Sequence, residues 1–192
     1  MEQAARLVQM MVSATSVEYD SPPGDAALVR AARDGSRAAF GELYTRYARI
    51  VHGIVLARVP YGDAEDLVQE VFVIAFRKIP SLREPEAFGG WLAAIARRCA
   101  TDYHRAAFRQ NAAQRESAQA QSTEPDAHAF HVLQAIQTLP EAYREALILR
   151  LVSGLTGPEI AGRIGLTPES VRVNLFRGMK MLRERLKGPE QL

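Results

Sequence analysis

The sequence contains a single cysteine, Cys99. It therefore has no intrachain disulfide and no cysteine-only metal site, and a small core residue in a reducing compartment is the plain role for it. The four histidines, His52, His104, His128 and His131, show no metal-ligand spacing with a carboxylate or a thiol, so neither a metal nor a cofactor is expected. No apolar run approaches the ~20 residues that a membrane span needs. The opening stretch, MEQAARLVQMMVSATS, lacks a basic region followed by a clean apolar block, which argues against a signal peptide. Strand-like alternation is missing, and so is any internal repeat. A formal charge of +2 names no partner by itself. These absences leave a cytoplasmic, all-α protein.

What is there is helical patterning. The 192 residues are 47% hydrophobic, enough for one domain or two small ones. Residues 1–24 are weakly patterned, end in SPPG and read as a tail; Met10 and Met11 leave a later start open. Gly35 then reads as a helix stop and Ser36 as the next N-cap. The following helix carries a stripe of Phe40, Leu43, Tyr44, Tyr47, Ile50, Val51, Ile54 and Val55, broken by Pro60 and Gly62. In DAEDLVQEVFVIAFRKI, Asp63 is the expected cap, and acids in the first turn suit the helix dipole. Leu67, Val71 and Ile74 face one way there, joined by Val68, Phe72 and Ala75. A loop PSLREPEAFGG precedes another helix, WLAAIARRCATDYHRAAFR. Residues 110–127 hold almost no large apolar side chain and read as a flexible linker. After it, LPEAYREALILRLVSG opens on a proline and stops at Gly154.

The C-terminal stretch concentrates positive charge. From Arg150 to Lys187 there are eight basic residues and three acidic ones. That excess suits a polyanion, and equally a solvated helix end with cations matched to its dipole. The segment LTGPEIAGRIGLTPESVRVNLFRGMKMLRERL has the spacing of a helix-turn-helix rather than an ordinary helical hairpin. Thr156 and Glu159 form a capping box with Pro158 in the first turn. Ala161 sits at the crossing and Gly165 at the sharp turn. Thr167 caps the second helix and Pro168 starts it. Ile160, Ile164, Leu166, Val171 and Leu175 are the expected core, and Val171, Leu175, Met179 and Leu182 form one stripe of the second helix. Val173 and Phe176 point away from that stripe, among Arg172, Arg177 and Lys180. In a major groove, cations meet phosphates and guanine edges, and apolar side chains meet thymine methyls. Cover for a neighbouring helix or a partner protein is the other explanation of that face.

In FGGWLAAIARRCATDYHR, Phe88 and Trp91 flank a Gly-Gly loop, and Arg98, Arg105 and Arg109 recur along one face. Aromatics beside cations suit single-stranded DNA, although Phe88 and Trp91 are equally natural core residues.

With these motifs in this order, residues 25–187 resemble a group-IV, extracytoplasmic-function sigma factor of the sigma-70 family. DGSRAAFGELYTRYARIV looks like the start of region two. DAEDLVQEVFVIAFRKI resembles the segment that docks on the polymerase clamp helices, and FGGWLAAIARRCATDYHR the part that melts and reads the minus-ten element. The stretch from Leu139 to Leu186 resembles region four, which reads the minus-thirty-five element. Two departures bear on promoter sequence rather than class. Arg98 stands where the family often has Asn, and VRVNL stands at 171–175 where it often has V-K-S-R-L.

The resemblance implies a tail at 1–24, a region-two domain at 25–109, the linker at 110–127, and a region-four domain at 128–192, without region three or an appended sensory domain. It implies polymerase contacts by Asp66, Gln69 and Glu70, an exposed acidic face that could also be a solvated helix start. It implies minus-ten contacts by Phe88, Trp91, Arg98, Arg105 and Arg109, with a base pocket around residues 84–90. It implies minus-thirty-five contacts by Thr167, Arg172, Val173, Phe176, Arg177 and Lys180. The partners it implies are core RNA polymerase, promoter DNA as duplex and as melted non-template strand, and an anti-sigma factor. No chemical bond would be made or broken, so an enzyme is not expected. A dimeric duplex-binding regulator also explains the helix-turn-helix but leaves the aromatic-basic helix without a role. An antagonist that mimics a sigma factor would bind polymerase without supporting transcription.

Overall fold

Local signals set the element boundaries. In this computed structural model, which describes the backbone of residues 24–113 and 127–187, helix α1 (Asp25–Arg33) ends before Gly35, whose φ of 96° only glycine adopts without strain. The Ser36 hydroxyl then accepts from the Ala39 N–H at 3.2 Å and starts α2 (Arg37–Leu56). Helix α2 buries Leu43, Tyr47, Ile50, Val51, Ile54 and Val55, the expected stripe, while Phe40 is half-buried and Tyr44 is exposed. Helix α3 (Ala64–Lys78) buries Leu67, Val68, Val71, Phe72 and Ala75. Asp63 occupies the cap position but does not cap. Its carboxylate accepts instead from the Tyr103 hydroxyl at 2.7 Å, which fastens the start of α3 to α4 (Phe88–Ala113). Burial, and then that acceptor, push the Tyr103 phenol up to about 12.

Helix α4 begins at Phe88, so the glycine pair lies in its first turn rather than in a loop, and it continues through Ala113 into the stretch that composition reads as linker. The second half opens with α5 (Ala127–Gln137), a helix the sequence pattern did not single out. Then come α6 (Glu141–Leu151), α7 (Gly157–Ile164) and α8 (Pro168–Leu186). No strand occurs among the described residues.

Helices α2, α3 and α4 pack on one another in the first half; α6, α7 and α8 do so in the second. The two helical halves are not held apart. Helix α2 packs on α6 and α4 packs on α7, and the buried side chains of both halves form one contiguous core.

Candidate nucleic-acid interface

The helix-turn-helix is built as its spacing demands. The Thr156 backbone N–H donates to Glu159 Oε2 at 2.7 Å, and the Glu159 N–H donates back to Thr156 Oγ1 at 3.4 Å, a reciprocal capping box. Gly165 ends α7 at φ 70°, in the left-handed region. The Thr167 hydroxyl accepts from the Ser170 N–H at 3.2 Å and starts α8, so Thr167 has a structural task already. Ile160, Ala161, Ile164, Val171 and Leu182 are buried. Two expected core positions differ. Leu166, just past the left-handed turn, is exposed, and Leu175 is only half-buried. Gly178 is buried instead, where α8 packs tightly on α6. A Cβ there would meet Leu147 Cδ1 at 3.0 Å and Tyr143 Cβ at 3.1 Å. Met179 is half-buried against the core.

The opposite face of α8 is open. Arg172, Val173, Phe176, Arg177 and Lys180 are all exposed, Phe176 by 75%. Arg172 donates to Glu169 at 2.6 Å on the same face. Phe176 also borders a shallow groove with Leu151, Leu175 and Met179, rimmed by Arg150, Lys180 and Arg183.

On the first half, Asp66, Gln69 and Glu70 are exposed together on α3. The same face continues one and two turns on as Val73 and Phe76, large apolar side chains open to solvent. Phe76 packs edge-on against Phe40 with ring centroids 5.0 Å apart. Sequence reading placed no function there, although the i, i+3, i+7, i+10 spacing from Asp66 to Phe76 was visible.

The aromatic-basic helix departs from expectation in part. Phe88 is 1% exposed, wedged edge-on against Tyr47 at 5.1 Å and beside Trp91 at 5.8 Å. It is a core residue and offers no surface for stacking, because the first turn of α4 directs it inward against α2. Trp91 is half-buried. Arg98 and Arg105 are exposed and share Asp102, at 3.7 and 3.4 Å. The side chain of Arg109 lies outside the described residues.

Two family models match the chain in order: sigma-70 region 2 over residues 43–110 and sigma-70 region 4 over residues 130–182. The chain is 34% identical over 162 residues to the RNA polymerase sigma factor CarQ of Myxococcus xanthus, covering 80% of this chain and 92% of that one. It is 31% identical over 175 residues to the ECF RNA polymerase sigma-E factor of Escherichia coli strain K12, covering 82% and 92%. The chain belongs to the sigma-70 family, in its extracytoplasmic-function group. Its fold is also that of CnrH, solved in complex with the cytosolic domain of CnrY, with a TM-score of 0.60, 24% identity, and coverage of 86% of this chain and 99% of that one. The sigma factor RpoE of Bartonella quintana, solved with the anti-sigma factor NepR, gives a TM-score of 0.55 at 22% identity over 79% and 98%.

The seam between regions two and four of this sigma factor carries a cluster of paired charges. Glu145 of α6 receives Arg97 of α4 as a fork, Nε at 3.1 Å and Nη2 at 2.6 Å, and lies 2.6 Å from Arg58 Nη2. Arg58 reaches Glu141 as well, at 2.9 Å. Burial by itself would raise the Glu145 carboxyl. The hydrogen bond from Arg97 and the charges of Arg58 and Arg97 together outweigh it and hold the group below the usual carboxylate range. Arg163 of α7, buried, stands 5.1 Å over the Tyr47 ring and 3.7 Å from Asp25. Polar side chains close the rest of the seam on backbone carbonyls. Gln137 donates to those of Leu56 and Val59, each at 3.0 Å, and Ser153 donates to that of Arg49 at 3.1 Å. No helix among the described residues is long and apolar enough to cross a membrane.

Proposed function

We propose that this sigma factor binds core RNA polymerase through the exposed α3 face, reads the minus-thirty-five element with the outer face of α8, and captures the melted non-template strand along α4. The observation that carries the reading is the open face of α8. It puts three long cations and two apolar side chains on the second helix of a helix-turn-helix, the chemistry that a major groove offers phosphates, guanine edges and thymine methyls to meet. Asp66, Gln69 and Glu70 would meet the polymerase, with Val73 and Phe76 extending that contact. Trp91, Arg98, Arg105 and Arg109 would serve the minus-ten element, with Phe88 supporting Trp91 from below.

Base extrusion from duplex DNA costs a few kcal/mol, which the polymerase-bound assembly supplies through binding. The role is assembly and recognition in the cytoplasm, without catalysis. Residues 25–109 and 128–192 would act as separate domains on the 110–127 linker once polymerase is bound, with 1–24 as a tail. An anti-sigma partner belongs to the same proposal, since one relative of this fold was solved with one.

Purified chain added to core polymerase on a pool of genomic fragments should start transcription at discrete sites. Tight, specific protection of a palindromic duplex by the chain alone would replace this reading with a dimeric regulator.

A further inference from the structure

Resting on that functional reading, we infer that Glu169, at the start of α8, is a specificity-determining residue of the minus-thirty-five surface. Its carboxylate accepts from the N4 amino group of a cytosine in the major groove, with Arg172 beside it as the partner cation.

Glu169 stands in the middle of the open face. Wound as a helix, Glu169, Phe176 and Lys180 lie within about 20° of one line along α8. The buried residues Val171, Gly178 and Leu182 lie on the other side. From Pro168 to Arg183 it is the one acid, among the four cations Arg172, Arg177, Lys180 and Arg183. A carboxylate in that company repels DNA phosphates and weakens the sequence-independent part of binding. Its local uses are modest. It suits the positive end of the helix, but Thr167 already caps the first turn. The Thr167 hydroxyl accepts from the Ser170 N–H and donates to the Ser170 hydroxyl at 2.8 Å. Glu169 also pairs with Arg172, but the two side chains are 77% and 78% exposed, and such a pair stabilises a fold little.

The same facts suit a base reader. The ion pair engages one carboxylate oxygen, Oε1, and one guanidinium nitrogen, Nη2. It leaves the second oxygen and the rest of the guanidinium fork to a ligand. In the major groove, guanine and thymine present acceptors, which a carboxylate repels, and adenine presents its amino group next to the acceptor N7. Cytosine presents an amino donor with no acceptor of its own beside it. A carboxylate therefore selects cytosine twice over, by attraction to it and by repulsion of its competitors. Arg172, held 2.6 Å away, offsets the charge of the carboxylate as DNA approaches and has donors left for a guanine edge or a phosphate.

The test is transcription by the full chain with core polymerase from a promoter library randomised across the minus-thirty-five element. It compares the unsubstituted chain with Glu169→Gln and Glu169→Ala. The unsubstituted chain should favour cytosine about tenfold at one pair. Glu169→Gln should move the preference at that pair to adenine, because an amide matches the adenine N6 and N7 groups, and leave the other positions as they were. Glu169→Ala should flatten that pair alone. Variants that change output by one factor at every sequence would overturn the assignment, since a charge or helix-end effect does not tell bases apart. A loss of helical circular dichroism in both variants would make Glu169 a structural residue and overturn it too. If the unsubstituted chain initiates with no preference at any position of the element, the reading of α8 as the minus-thirty-five surface fails first, and the role of Glu169 falls with it.

Discussion

Arg58 and Glu145 come from opposite halves of the molecule, lie 2.6 Å apart, and are 9% and 8% exposed. A buried pair of this kind stabilises little over a well-packed apolar pair, but removing one member strands the other. Glu145→Ala should lower the stability of the closed chain by about 3–5 kcal/mol, because Arg97 would lose its carboxylate and the buried Arg58 would keep only the exposed Glu141. Glu145→Gln should cost less. Chemical denaturation of the full chain measures both.

The same carboxylate gives a pH dependence whose sign is fixed. Its folded-state value lies below the unfolded one, so its contribution is complete above the ordinary glutamate value of about 4.3 and is lost as pH falls through the depressed one. Melting temperatures taken from pH 7 to pH 3 should show a steeper acid decline for the unsubstituted chain than for Glu145→Gln. Parallel declines would mean that Glu145 is not held in its charged form.

Charge reversal on α3 tests the polymerase face. Asp66→Lys with Glu70→Lys alters only exposed positions, so stability should move within about 0.5 kcal/mol for each change and helical circular dichroism should hold. Affinity for core polymerase should fall sharply. Phe76→Ser should weaken the same binding with no change in its salt dependence, since it removes apolar area and no charge.

On α8, the cations and the apolar side chains should separate by assay. Arg177→Ala should weaken binding at all promoters alike and flatten the salt dependence by about one unit. Val173→Ser and Phe176→Ala should change which minus-thirty-five sequences are preferred, by about 1–3 kcal/mol at a contacted pair, and leave that slope intact. Wild-type preference at full activity in a randomised library would assign Val173 and Phe176 to a protein surface, with the adjoining groove at Leu151 and Met179 as its continuation.

Gly178 sets how closely α8 lies on α6. A leucine there would drive its side chain into Leu147 and Tyr143, an overpacking that costs about 1–3 kcal/mol. Gly178→Leu should therefore lower the stability of the full chain and weaken duplex binding, although the glycine touches no DNA. Anisotropy with a minus-thirty-five duplex in the presence of core polymerase measures the second effect.

The capping residues and the core stripes were legible because they depend on neighbours three or four positions away. Ser36, Thr156 with Glu159, Thr167 and Gly165 all do what their spacing requires. Asp63 looked the same and behaves otherwise, because a distant acceptor-seeking hydroxyl, that of Tyr103, draws its carboxylate away. Phe88 beside two glycines has the composition of an exposed platform; only the packing of α4 on α2 shows that it is interior. The seam was invisible for a related reason. Arg97 and Glu145 are separated by 48 positions, and Arg58 and Glu141 by 83. Each reads as an ordinary polar residue on a helix until the halves are brought together. The glycine pair was read as a loop, when Gly89 leaves room for the Arg163 carbonyl and Gly90 lies against Gly165.

That last contact limits how such a protein can be recombined. The two halves are not independent cassettes. Here Gly53 and Gly89 are fitted to particular atoms of the other module, Ser153 Oγ and the Arg163 carbonyl. A foreign second module with a bulkier side chain at residue 153 would meet Gly53, and a first module with alanine at residue 89 would meet the Arg163 carbonyl, so either exchange would disturb the packing of the halves. The two modules are matched parts.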